Sequence, residues 1–165
     1  MNAGLSLQQL MDRLPQIGRV EWIGLRTQKR QPLVVQQRVQ VSAKHGLHGD
    51  HYSGRSGKRQ ITLIQAEHIR AVASMLHCES IDPQLLRRNI VVSGINLLAL
   101  KNRRFQLGGA VVEMTGLCHP CSRMEQNLGK GGYNAMRGHG GINARVVTAG
   151  EIAVGDAVKL LPEQD

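Results

Sequence analysis

The chain has 165 residues, which suits one domain with a core large enough to need no covalent staples, and its three cysteines, an odd number, argue against a disulfide scaffold and for a reducing compartment. A formal net charge of +9 calls for an anionic ligand or partner. No apolar N-terminal run reads as a signal peptide and no apolar stretch reaches the roughly 18 residues of a membrane span, so a cytoplasmic protein with no membrane partner is expected.

In chain order, Ser6 to Leu14 reads as a short helix with a Ser6/Gln9 capping box, ended by Pro15. Val20 to Leu25 and Leu33 to Val41 read as strands, the second through the alternation of Val35, Val39 and Val41. A polar loop follows from Lys44 to Lys58, and then a buried strand from Ile61 to Ile64. The period changes at Ile69, Val72, Ala73 and Leu76, so Ala66 to His77 is predicted to be an amphipathic helix. Asp82-Pro83 offers an N-cap and a first-turn proline for a second short helix. Short strands are predicted at Ile90 to Ser93, Arg104 to Leu107, Ala110 to Met114, Ala144 to Thr148 and Ala157 to Leu161, with a turn from Gly150 to Asp156. The predicted fold class is therefore mainly β with a few helices, a barrel or closed sheet with helices packed on it, in a single domain spanning residues 1–165.

Chemistry concentrates at Cys118-His119-Pro120-Cys121. Thiols act as nucleophiles and soft metal ligands only as thiolates, and a Cys-x-x-Cys spacing beside cations such as Arg123 favours that state. Pro120 fixes the backbone just before Cys121, making it the better-oriented thiol. Three other readings stand against a reactive thiol: two small buried hydrophobes, a redox dithiol, and a zinc half-site. Zinc would need further ligands, which Cys78 and the loop histidines His45, His48 and His51 supply only on paper. A thioredoxin-like dithiol would need a βαβ context that the flanking sequence does not show.

Glycines crowd the segment after these cysteines, in Gly129-Lys130-Gly131-Gly132 and Gly138-His139-Gly140-Gly141, where backbone amides could approach an anion. Neither matches a P-loop, and a mobile connection is the default expectation. Nucleic acid is the obvious partner for so basic a chain. It is not expected here, because the cations are dispersed and the only aromatics, Trp22, Tyr52, Phe105 and Tyr133, are too few for base stacking.

Taken together, Arg59 to Glu67, Leu86-Arg87-Arg88-Asn89 and the strand to Gly94, Cys118 to Cys121, Gly140 to Val146 and Gly155 to Val158 resemble, in this order, the MOSC domain, named for the C-terminal region of molybdenum cofactor sulfurases. The resemblance runs over roughly residues 18–161 and is closest to the small stand-alone bacterial type. It implies a MOSC-type β-barrel and a molybdenum-pterin cofactor (molybdopterin), and extends to pyridoxal phosphate binding. It also implies that Cys121 is the catalytic thiol and metal ligand. Arg87 and Asn89 match the cofactor-binding Arg-Pro-Asn segment of the amidoxime-reducing members, with Arg88 in place of the proline, and Arg145 is a further cofactor candidate. The implied activity is reduction of small N-hydroxylated compounds, with electrons from a separate donor protein because the chain has no flavin, haem or iron–sulfur motif. The alternative is a sulfur carrier that uses a Cys121 persulfide for cofactor or metal–sulfur cluster assembly.

Overall fold

Many short strands of β-branched residues fold into a closed barrel. A computed structural model of the protein describes residues 4–52, 54 and 56–163. In chain order, its first half contains α1 (Leu7–Met11), β1 (Gly18–Leu25), β2 (Val34–Gln36), β3 (Arg38–Ser42), β4 (Gly46–Leu47), β5 (Ile61–Gln65), α2 (Ala66–Met75) and β6 (Ile90–Ser93). Then follow β7 (Arg104–Leu107), β8 (Ala110–Leu117), α3 (Ser122–Leu128), α4 (Gly132–Met136), β9 (Ile142–Thr148), β10 (Gly150–Ala153) and β11 (Ala157–Leu160). Short 3₁₀ turns occupy Pro83–Leu86 and Leu97–Leu100.

Seven strands run in the order β11-β7-β8-β9-β5-β6-β1, and β1 closes the ring by pairing Gly18 with Val158 and Arg19 with Ala157. Closure leaves these strands no free edge along the ring. A register shift between Val20 and Trp22 breaks the β1–β6 ladder, and the far end of β1 then pairs with β2 outside the ring. Strands β5 and β6 pair in parallel and are joined through α2 and the first 3₁₀ turn, while the other ring pairings are antiparallel. A separate small sheet runs β10-β3-β4.

Two hydrophobic clusters divide the apolar side chains. Ile61, Leu63, Ile90, Val92, Phe105, Val112, Ala144 and Val158 fill the barrel. Ile64 and Val91 face the other way, onto Ile69, Val72 and Ala73 of α2 and Met124 and Met136 of α3 and α4. Because β5 is covered on both faces, all its residues are buried, Thr62 and Gln65 included. The capping box forms as expected, with Ser6 Oγ accepting from the Gln9 amide and the Gln9 side chain accepting from the Ser6 amide.

Several boundaries differ from the sequence expectation. The alternating stretch Leu33 to Val41 is two strands in two sheets, because the chain leaves the barrel at Gln37, whose carbonyl accepts from Val154. The predicted turn Gly150 to Asp156 begins as β10, paired with β3 from Gly150↔Val41 to Ala153↔Arg38, and only then turns, with the Asp156 carboxylate accepting from the Ala153 amide. The glycine-rich stretch read as a connection carries α4, and α3 precedes it. Among the described residues, no helix is long and apolar enough to cross a membrane.

Candidate cofactor site

Strand β8 ends at Leu117, and the backbone then turns through Cys118, His119 and Pro120 into α3, with Cys121 at its N-cap in extended conformation (φ −127°, ψ −178°). The Cys121 side chain makes no capping hydrogen bond and is exposed. A thiol motif between a strand and a helix start has the local look of a redox dithiol. The following strand, however, runs antiparallel to β8, so no βαβ unit forms here.

The two thiols open on different cavities. Cys121 lines a cleft of about 690 Å³ together with Arg30, Arg87, Arg123, Gln84 and Asn127. Cys118, half-buried, lines a smaller apolar cavity of about 130 Å³ with His68, His119, Leu97 and Leu117. Its His68 packs edge-on against His139, with ring centroids 5.1 Å apart. Burial, and then the neighbouring His139, push the His68 ring below its ordinary pKa, against the pull of Glu67.

Local chemistry builds the cleft walls. Asp82 caps the first 3₁₀ turn by accepting from the Gln84 amide, with Pro83 at its first position. The Gln84 side chain accepts from the Leu33 amide, and Asn127 of α3 donates to the Leu85 carbonyl, so the turn is tied to both flanking segments. Arg87 leaves the turn in the left-handed conformation (φ 60°) and donates to the Gln31 carbonyl. Partial burial first, then Arg123 and Arg26, lower the pKa of its guanidinium, while Asp50 raises it. The cleft therefore concentrates positive charge around one thiol.

Asn89, two residues beyond Arg87, is fully buried, at 0 % exposure. Its Oδ1 accepts from Arg26 Nη2 (3.3 Å), the Thr62 amide (3.1 Å) and Thr62 Oγ1 (3.0 Å). Its Nδ2 donates to the Gly24 carbonyl and to Asp50 Oδ1, both at 3.1 Å. Asp50 in turn accepts from the Arg26 amide, Arg26 Nε and Nη2, and the Tyr52 amide. Neither Asn89 nor Arg88 lines the cleft. Arg88 points inward and is held by backbone carbonyls.

Arg145 sits apart from this cluster. It projects from β9, shares the Glu113 carboxylate with Arg104, and lines a different cavity of about 390 Å³ with Lys44 and Gln60. His45 and His48 line another cavity, about 440 Å³, and the His51 ring pairs with the Arg26 carbonyl at 2.7 Å. Among the described residues, no three His, Cys, Asp or Glu side chains converge on a metal position. The Cys-x-x-Cys motif pointed to Cys121 with Arg123 as a neighbouring cation, the family resemblance pointed to Arg87, and the three line one cleft. Arg30, Arg26 and Asp50 come from loops whose convergence no local spacing announces.

The glycine-rich segment also finds a role. Its amides do receive an anion, but one from this chain: Glu125 Oε1 accepts from Gly131 (2.8 Å) and Oε2 from Tyr133 (2.9 Å), opening α4. These bonds, Tyr133 first and then Gly131, with Lys130 adding to them, lower the Glu125 pKa below its ordinary value. A depressed carboxylate pKa contributes stability in full above the ordinary glutamate range, near pH 4.3, and that stability is lost as pH falls through the folded value. Glu125→Gln should therefore lower the melting temperature at pH 7, and the gap from wild type should close in acid. Parallel melts from pH 7 to pH 3 check this; a gap that persists unchanged at pH 3 would show that the charge is irrelevant.

The comparisons agree with this architecture. The profile of the MOSC domain matches residues 27–159. Among solved structures, the YuaD protein of Bacillus subtilis superposes with a TM-score of 0.76 at 19% identity, over 92% of this chain and 100% of that one. YiiM of Geobacillus stearothermophilus gives 0.67 at 17% identity, over 88% of this chain and 75% of that one. YiiM of Escherichia coli gives 0.65 at 15% identity, over 89% and 71%. No curated protein matches the chain. These structural likenesses speak for the fold, and a family profile that covers most of the chain, the arginine turn and the cysteine loop included, adds the lineage: the chain belongs to the MOSC domain family.

Proposed function

We propose that this protein holds a molybdenum-pterin cofactor in the Cys121 cleft and reduces N-hydroxylated bases and amidoximes to amines in the cytoplasm, with electrons from a separate donor protein. One observation carries the proposal: an exposed thiol and three arginines, Arg30, Arg87 and Arg123, line the same cleft. That donor set fits the group, since a thiolate is a soft ligand suited to a dithiolene-bound metal and guanidinium suits its phosphate. The group when bound would supply oxygen transfer from the substrate. Cys121 would hold the metal, Arg87 and Arg123 the phosphate, and Asn89 and Asp50, through their bonds to Arg26, would fix that residue near Arg87. Arg145, on a different cavity, would reach only an extended ligand. Pyridoxal phosphate fits less well, because none of the residues lining the cleft is a lysine that could form its Schiff base.

Metal and pterin analysis of protein purified from a cofactor-competent host tests the proposal, with stoichiometric molybdenum and pterin expected. Cyanide-labile sulfur without metal would instead favour the sulfur carrier, a reading that rests on the exposure of the Cys121 thiol. Arg87→Lys keeps the charge but loses the paired donors that match phosphate, so cofactor affinity should fall roughly tenfold, the worth of one charge-assisted contact. Pterin content after equilibrium dialysis reads this out. Unaltered content would remove Arg87 from the site.

A further inference from the structure

The cysteine loop is held from behind by a single side chain. Arg88 is 7 % exposed, and its guanidinium donates to the carbonyls of Gly140 (2.8 Å), Leu86 (3.0 Å), Cys118 (3.1 Å) and, at the limit, His119 (3.5 Å). These carbonyls belong to three segments: the turn that carries Arg87, the cysteine loop, and the glycine pair before β9. Among the described residues no carboxylate pairs with it. Burial disfavours its charge, while Cys118 and then Cys121 favour it and Arg26 opposes it. A buried guanidinium is costly unless its donors are satisfied, and here backbone oxygens from separate segments do so.

The junction is tight from the other side as well. A Cβ on Gly140 would lie 2.1 Å from the Cys118 carbonyl oxygen, and the Cys118 amide donates to the Gly141 carbonyl at 2.9 Å. Only a residue without a side chain lets the loop come this close.

We infer that Arg88 is the positioning residue of the site: it crosslinks the cysteine loop to the arginine turn and so sets the placement of Cys121 relative to Arg87. Its neighbour Arg87 points into the cleft, and the carbonyls it grips lie two and three residues before Cys121. The site consequence rests on the proposed cofactor role of Cys121; the clamp itself does not.

Two variants test it from opposite sides. Arg88→Lys keeps a cation, but a single ammonium cannot span carbonyls on three segments as a planar fork does. Gly140→Ala keeps the Arg88 side chain but wedges a methyl against the Cys118 carbonyl oxygen (2.1 Å) and Arg88 Nη2 (3.2 Å), prising the loop from its clamp. In both, amide hydrogen exchange at Cys118 should speed up roughly tenfold, as for a locally opened segment, while β5 and β8 amides exchange as in wild type. Molybdenum-pterin retention should fall in parallel, by roughly tenfold or more, as expected when a site group is displaced by a fraction of an ångström to an ångström. Unchanged Cys118 exchange, or acceleration spread evenly over the barrel, overturns the clamp. Local acceleration with undiminished retention overturns its role in positioning the site. A wild type without molybdenum would sink the proposed function, yet the exchange data would still decide whether Arg88 holds the loop.

Discussion

Cys121→Ser should lose molybdenum binding and reductase activity while folding at least as well as the wild type. The sulfur occupies an N-cap without making the capping hydrogen bond, and serine is a preferred residue there, so stability should hold or rise by up to about 1 kcal/mol. A hydroxyl is a hard and weakly acidic donor, however, and cannot replace a thiolate toward a soft metal. Displacing even outer partners of a metal costs roughly 10–100-fold in affinity, so loss of the ligand itself should exceed roughly 100-fold. Cys118→Ser should be milder, since that thiol faces the apolar cavity beside His68. Metal content and thermal melts of the two variants, measured side by side, separate chemistry from folding. Full metal content and activity in Cys121→Ser would end the assignment, and loss in Cys118→Ser alone would move the site three residues toward β8.

What could be read from the residues was what local physics dictates. The Ser6/Gln9 box and the apolar stripe of α2 are short-range patterns, and both appear as expected. Most strands of the ring were legible because short runs with β-branched or aromatic residues bounded by turns have few other uses. Helices α3 and α4 were not. They span seven and five residues, and α3 buries only Met124, so neither supplies a periodic window long enough to distinguish a helix from a loop. What makes α4 is a carboxylate, Glu125, that reaches the amides of Gly131 and Tyr133 from the preceding helix. The site divides the same way. Cys121 and Arg87 sit in chain-local motifs, whereas Arg26 and Asp50 flank a stretch of strands and loops and meet only when β1 carries one past the other. Arg88 is the sharpest case: it stands next to Arg87 in the chain, yet its donors are consumed by this chain's own carbonyls.

The Arg26–Asp50 pair, close enough to act on the charge of Arg87, should prove the most fragile point of the fold. The Asp50 side chain is 1 % exposed and Arg26 17 %, with Nη2 to Oδ2 at 3.0 Å. Asp50→Ala would strip the acceptor from the Arg26 amide and guanidinium, from Asn89 Nδ2 and from the Tyr52 amide at once. It would also leave Arg26 facing Arg87 with no compensating charge, although Arg87 already bears repulsion from Arg123. Breaking a buried pair from one side costs about 3–5 kcal/mol, most of it the stranded charge rather than the lost attraction. The stranded charge makes a second variant informative. Removing the guanidinium as well, in Arg26→Met with Asp50→Ala, should recover part of the loss, because an uncharged side chain needs no partner there. Denaturant unfolding of the single and double variants measures both effects. A cost under about 0.5 kcal/mol for Asp50→Ala, or a double variant no better than the single one, would show that the network around Asp50 is packing and not electrostatics.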